Sequence, residues 1–166
     1  MLRIADLISR IIMQITVAQD SHVPGIVEVW EEFSLFHEDI DPRYPVVDNV
    51  RSGYEEHLRN LMADADTLVL VALDNRKVVG LCIAQVKNSS PAFKRERFGF
   101  IDELAVKAEY RRRGIGTRIL GKILDWFKSR NIDMIELDVA AANPVGYPFW
   151  EKHGFKAYVH RLYMKT

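Results

Sequence analysis

The chain has 166 residues, which suits one domain and is too short for two independent cores, and 48% of them are hydrophobic. Its 23 basic and 23 acidic side chains cancel, so nothing in the total charge draws the protein to nucleic acid or to an anionic membrane, and neither is an expected partner. The single cysteine, Cys82, excludes an internal disulfide, and its place in the apolar run Val78 to Val86 predicts a buried thiol.

Leu2, Ile4, Leu7, Ile8, Ile11 and Ile12 oppose Arg3, Asp6 and Arg10 in the pattern of a short amphipathic helix. This stretch is too short and too charged to span a bilayer, and no small-residue cleavage site follows it. No signal peptide is expected, and the expected location is cytoplasmic. Residues 1–12 therefore read as a helical N-terminal extension that packs on the domain or on a second subunit, which makes a homodimer one expected state. Residues 13–166 read as a single domain.

Gln14 to Ala18 alternates polar and apolar residues and predicts a first strand. A helix follows, with Asp20 or Ser21 as its cap, Pro24 in its first turn, and Ile26, Val27, Val29, Trp30, Phe33 and Leu35 or Phe36 as its apolar stripe; it should end before Asp41-Pro42. A second helix is expected from Asp48 to Ala63, with Val50, Tyr54, Leu58, Leu61 and Met62 toward the core. Thr67 to Leu73 and Lys77 to Lys87 form a predicted hairpin around Asp74-Asn75-Arg76. After a charged loop comes a strand from Phe98 to Val106, then a helix from Gly114 to Arg130 whose face is Ile115, Ile119, Leu120, Ile123, Leu124 and Phe127. A strand at Met134 to Val139, a loop at Ala140 to Pro144, a short helix to His153 and a last strand region from Phe155 to Met164 complete the chain. This order predicts an α/β (α+β) domain with a mixed sheet: antiparallel hairpins first, then a parallel pair across the helical crossover. In such sheets ligands favour the carboxyl ends of the parallel strands and the N-terminus of the following helix.

Arg111-Arg112-Arg113-Gly114-Ile115-Gly116-Thr117 lies at that junction. A turn entering a helix exposes unpaired amides, glycines let an anion approach the main chain, and the helix dipole favours negative charge. The segment is not a Walker loop, and Ile119 stands where a dinucleotide fingerprint would need its third glycine. The histidines His22, His37, His57, His153 and His160 have no metal-ligand spacing, so no metal is expected.

The stretch Leu104-Ala105-Val106-Lys107-Ala108-Glu109-Tyr110-Arg111-Arg112-Arg113-Gly114-Ile115-Gly116 resembles the acetyl-CoA motif of the GNAT superfamily: an apolar-x-apolar strand end, then Gln/Arg-x-x-Gly-x-Gly/Ala. A second match follows. Leu137 to Asn143 and then Phe149-Trp150-Glu151-Lys152-His153-Gly154-Phe155 resemble the family's next strand, its asparagine loop and its aromatic-aromatic-Glu-Lys-x-Gly-Phe helix end. The resemblance implies a GNAT fold: a mixed central sheet with antiparallel N-terminal strands, a splayed parallel pair and flanking helices. It implies acetyl-CoA as co-substrate, transfer of its acetyl group to a primary amine, and a site on the strand end Leu104, Ala105 and Val106. Backbone groups of Leu104 and Val106 would hold the pantetheine arm, the amides from Arg112 to Thr117 would cradle the pyrophosphate, Arg111 and its neighbours would add charge, and Asn143 would bond the pantetheine. A non-catalytic acyl-CoA sensor on the same fold is the competing reading.

Direct transfer needs a neutral amine, so a base must take a proton from an ammonium substrate. The carboxylate that some members of the family carry four residues before the position of Leu104 is absent here, where Phe100 stands. Asp138 matches a position used as base by members that acetylate protein N-termini, and Glu103 and Asp102 are alternatives. The acceptor is expected near Trp30, Phe33, Phe36, His37, Glu38, Asp39, Asp41 and Tyr44, where aromatics beside acids suit a cationic amine of unknown identity. Trp150 occupies the place of the family's usual tyrosine acid. An indole N–H cannot give up a proton near neutral pH, which leaves Tyr147, one turn earlier, as the candidate acid.

Overall fold

Long alternating and apolar runs build an uninterrupted sheet in the order β1-β2-β3-β4-β5. The strands are β1 (Gln14–Val17), β2 (Thr67–Asp74), β3 (Lys77–Asn88), β4 (Arg97–Val106) and β5 (Ile135–Leu137). The computed structural model describes residues 13–41 and 50–164. The expected extension at 1–12 and the acceptor candidate Tyr44 lie outside the described residues. Neighbours from β1 to β4 run antiparallel, and β4 pairs β5 in parallel. Asn75 and Arg76, at φ 46° and 73°, form the tight turn between β2 and β3; two consecutive left-handed residues match the twist of a two-residue hairpin.

Helices α1 (Val23–Ile40) and α2 (Val50–Ala63) cover one face of the sheet, and α3 (Ile115–Ser129) with α4 (Gly146–Lys152) the other. Val23, Ile26, Val27 and Leu58 meet Val71, Leu81 and Ile83 on the first face. Ile119, Leu120, Ile123 and Phe127 meet Ala72, Cys82, Ala84 and Ile101 on the second. The Cys82 thiol is fully buried, and burial pushes its pKa up. No helix among the described residues is long and apolar enough to cross a membrane.

Three local expectations are corrected. Neither Asp20 nor Ser21 caps α1, because Asp20 lies in a preceding 3₁₀ turn and its carboxylate is taken by Arg59 at 2.8 Å. Strand β5 is shorter than Met134 to Val139, since it pairs β4 only from Gly99↔Ile135 to Ile101↔Leu137 before the two separate. No strand forms over 155–164 among the described residues. There Gly154, at φ 89°, ends α4, and the following residues meet β5 and the residue after it by side chains instead: Tyr158 bonds Glu136 and Arg161 pairs Asp138 at 2.8 Å. A strand-prone segment makes no ladder without a backbone partner.

Where the two parallel strands begin, a Cβ added to Gly99 would stand 2.6 Å from the ring of Phe127, which is fully buried and cannot retreat. Gly99→Ala is expected to destabilise by about 1–3 kcal/mol, read as a lower denaturation midpoint at unchanged slope.

Candidate active site

Two left-handed residues shape the link from β4 to α3: Arg112 at φ 62° and Gly114 at φ 78°, the N-cap. The first backbone bond of α3 runs from the Arg118 N–H to the Gly114 carbonyl at 3.1 Å. The amides of Ile115, Gly116 and Thr117 precede it, and among the described residues no backbone carbonyl accepts from them. They point outward at the positive end of a 15-residue helix, an arrangement suited to a phosphate. The arginines divide their work. The Arg111 Nε–H donates to the Val106 carbonyl at 2.9 Å while its guanidinium lies over Phe36, 5.4 Å away, so it braces α1 against β4 instead of reaching outward. Arg113 bonds the Glu109 carbonyl at 2.9 Å, and Arg112 stays exposed. The Thr117 hydroxyl donates to His153 Nε2 at 3.1 Å, since His153 Nδ1 gives its hydrogen to the Phe149 carbonyl.

Beyond Ile101 and Leu137 the parallel strands part, and a groove opens between them, lined by Phe33, His37, Leu104, Asp138, Asn143 and Trp150 among others. The Lys107 N–H bonds Val79, so by antiparallel alternation the main-chain groups of Val106 and Leu104 point away from β3 and toward this groove. Arg111 already occupies the Val106 carbonyl. An extended chain laid here as a further strand would meet free edge groups of β4, with the unpaired amides of α3 at its end. The groove and turn together therefore fit a pantetheine arm with a diphosphate, the parts of acetyl-CoA.

Asn143 is buried at the head of α4. Its Oδ1 accepts from the Val145 and Gly146 amides at 3.0 and 2.7 Å, and its Nδ2 faces His37 Nε2 at 3.5 Å. Asp138 is exposed and paired with Arg161. Helix α4 includes both Tyr147 and Trp150, but among the described residues lining the groove it contributes Gly146 and Trp150, not Tyr147.

A bulge decides where the acids of β4 point. The register passes from Ala84↔Ile101 to Ile83↔Glu103 and skips Asp102. Ile101 packs toward α3, yet Ala105 packs toward α1 and α2, so the extra residue turns Glu103 onto the α1–α2 face. There the Tyr54 hydroxyl donates to Glu103 Oε2 at 2.9 Å, Trp30 bonds the same carboxylate, and the Trp30 and Tyr54 rings stack 4.0 Å apart. Burial pushes the Glu103 carboxyl up to about 7, with the neighbouring Asp102 adding to the rise and the two hydrogen bonds opposing it. Burial likewise raises Asp102 above its ordinary range, against the pull of Lys87 at 3.1 Å. Both acids line a second cleft of about 330 Å³ with His57, Leu61, Ile83 and Gln85. Asp102 lines the groove as well as this cleft, so the bulge is the point where they meet. The acceptor candidates Phe33 and His37 thus lie on the groove side, and Trp30 backs Glu103. Sequence reasoning took Tyr54 only as core; a buried tyrosine needs a partner for its hydroxyl, but nothing local names Glu103 as that partner.

The sequence pattern described as the acetyltransferase (GNAT) family matches residues 27–155. The chain is 36% identical over 93 residues to N-alpha-acetyltransferase 30 of Schizosaccharomyces pombe, covering 56% of this chain and 59% of that protein. It is 30% identical over 74 residues to streptothricin acetyltransferase A of Bacillus subtilis, covering 45% of this chain and 41% of that one. The matched stretches thus span less than two thirds of either curated relative. A crystal structure of a predicted acetyltransferase with acetyl-CoA from Clostridium acetobutylicum has the same fold, with a TM-score of 0.75 at 21% identity, covering 92% of this chain and 96% of that one.

Proposed function

The chain belongs to the GNAT acetyltransferase family, and from that premise we propose that it moves the acetyl group of acetyl-CoA to a primary amine by direct attack, with Glu103 as the base. The observation that carries this reading is the bulge at Asp102, which sets a shielded carboxylate with a pKa of about 7 where the groove meets the second cleft. A base poised near neutral pH takes a proton from an ammonium without being too weak to hold it.

In this reading the acetyl donor supplies the activated carbonyl. Leu104 and Val106 hold the arm through main-chain groups, the amides of Ile115 to Thr117 hold the phosphates, and a β4 amide beside the bulge polarises the carbonyl. The amine arrives from the cleft lined by His57 and Gln85. Asp102 and Glu103 attract it as a cation, and Glu103 removes its proton. Asp138, exposed and tied to Arg161, takes no part in the transfer.

The two curated relatives suggest the acceptors to try first: a peptide with a free N-terminus, and a small antibiotic amine such as streptothricin. Release of CoA should be measured with both and with a panel of simple amines, beside acetyl-CoA binding by calorimetry. Turnover on at least one amine is expected. Tight binding without turnover on any amine overturns the reading in favour of an acyl-CoA sensor.

Trp150 lines the groove, and by the motif resemblance it stands in the place of the family's usual tyrosine acid. Trp150→Tyr is expected to keep or raise turnover, and Tyr147→Phe to lower it by about tenfold or less, because a thiol with pKa near roughly 8.5 leaves tolerably as thiolate. Steady-state rates of both variants check this; a thousandfold loss in Tyr147→Phe at unchanged acetyl-CoA affinity would make Tyr147 an essential acid.

A further inference from the structure

Building on the acetyl-transfer reading above, we propose that His37 delivers the proton to the departing sulfur, a task for which Trp150 has no proton to give. The last turns of α1 bring Phe33 and His37 to the wall of the groove that Leu104 and Trp150 also line. His37 Nδ1 lies 2.8 Å from the Phe33 carbonyl. A carbonyl only accepts, so Nδ1 carries a hydrogen and Nε2 is the nitrogen free to gain and lose one.

Nε2 faces the Asn143 Nδ2 at 3.5 Å, and the amide cannot flip to greet a proton there. Its Oδ1 is held by the amides of Val145 and Gly146, which fixes the NH₂ toward His37. Neutral His37 therefore has a donor opposite its lone pair. Protonated His37 has donor against donor, and the Nε2 proton must seek another acceptor in the groove. The charged neighbours are few. Asp102 and Asp138 line the same groove, and Asp138 is already paired with Arg161. Glu38, Asp39 and Asp41 follow on the same helix or just past it, and Arg111 lies behind Phe36. The rings of Phe33 and Phe36, 4.1 and 5.5 Å from the imidazole, limit its movement.

The step balances. The amine nitrogen bonds to the carbonyl carbon, the carbon–sulfur bond breaks, and its electron pair goes to sulfur. His37 gives that sulfur its Nε2 proton and returns to the neutral ring facing Asn143. Of the two protons the ammonium loses, one recharges His37 and the other reaches solvent by way of Glu103.

Two measurements test this. The first follows the His37 ring by nitrogen NMR across pH in the wild type, alone, with CoA and with desulfo-CoA, which lacks only the sulfur. The expected result is a shift of the His37 titration with CoA that desulfo-CoA does not reproduce; equal effects of the two would overturn the proposal. The second compares kcat of His37→Gln with wild type at constant acetyl-CoA affinity. The wild type should be faster by about tenfold at the acidic end of the profile, with the ratio shrinking toward one at the alkaline end, where a proton-delivering group has none left to give. A ratio that stays constant across pH, or no loss at all, rejects the proton transfer, since a merely structural residue gives no such convergence. If the wild type acetylates no amine, the acetyl-transfer reading fails, and the comparison of CoA with desulfo-CoA still decides whether His37 meets the sulfur.

Discussion

Glu103→Gln should lower turnover by about a hundredfold to a thousandfold and remove the rise of activity through neutral pH. The carboxylate is the active form of a base, and burial holds its pKa at about 7, so kcat/KM should climb with pH up to that value and then level off when it is read in the His37→Gln background, where only the base limb remains. The variant keeps the side chain's shape and its acceptor oxygen for Tyr54 and Trp30, and it cannot take a proton. The same burial has a thermodynamic sign. The folded pKa of Glu103 lies above its ordinary value of 4.5, so the unfolded chain releases this proton first as pH rises. The wild-type fold therefore loses stability between about pH 4.5 and 7, by up to about 3 kcal/mol, and the loss persists at higher pH. Glu103→Gln should escape that loss and stand more stable than wild type at pH 8 relative to pH 5, as read by denaturant titration at the two pH values. Activity within threefold of wild type at every pH would return the base to Asp138, Asp102 or water.

The turn from Arg111 to Thr117 is legible in the chain because its chemistry is local: glycines, a helix entry and the strand before it sit within a dozen residues. The groove is legible for the same reason, since a strand-helix-strand crossover fixes which ends of β4 and β5 lie together. Glu103 is different. Its environment comes from Tyr54, 49 residues away, and from Trp30, and its direction comes from one skipped residue at Asp102. Strict alternation puts Glu103 on the face of Ile101; the bulge puts it on the other, and no composition rule marks which residue of a strand will be passed over. Asp138 shows the converse. A motif position singles it out, while its partner Arg161, from a segment expected to be a strand, leaves it paired and exposed. The arginines of the turn read as phosphate ligands by charge, yet the Arg111 side chain is committed to the Val106 carbonyl and Phe36. In each case the local pattern names the residue, and contacts distant in sequence decide its role.

Gly116→Glu should reduce acetyl-CoA affinity by about a hundredfold or more, equivalent to about 2.7 kcal/mol, while the fold is retained or slightly stabilised. Residue 116 is the second residue of α3, where the unpaired amides point at the expected diphosphate. A glutamate there gains helix propensity over glycine and sits favourably at the positive end of the dipole, each worth up to about 1 kcal/mol. Against this, its Cβ would lie 3.3 Å from the Phe149 ring and 3.6 Å from Leu104, close contacts that a half-buried ring edge accommodates by a few tenths of an ångström. The new carboxylate would compete for the same amides and repel a phosphate that needs them. Gly116 serves better for this test than Gly114, whose φ of 78° strains any side chain and would confuse lost binding with lost structure. Gly116→Gln supplies the control: equal bulk without charge should lose clearly less affinity if repulsion dominates, and as much if crowding against Phe149 does. Calorimetry of acetyl-CoA binding, beside thermal melts of wild type and both variants, measures each part, and wild-type affinity in Gly116→Glu would show that the phosphates lie elsewhere.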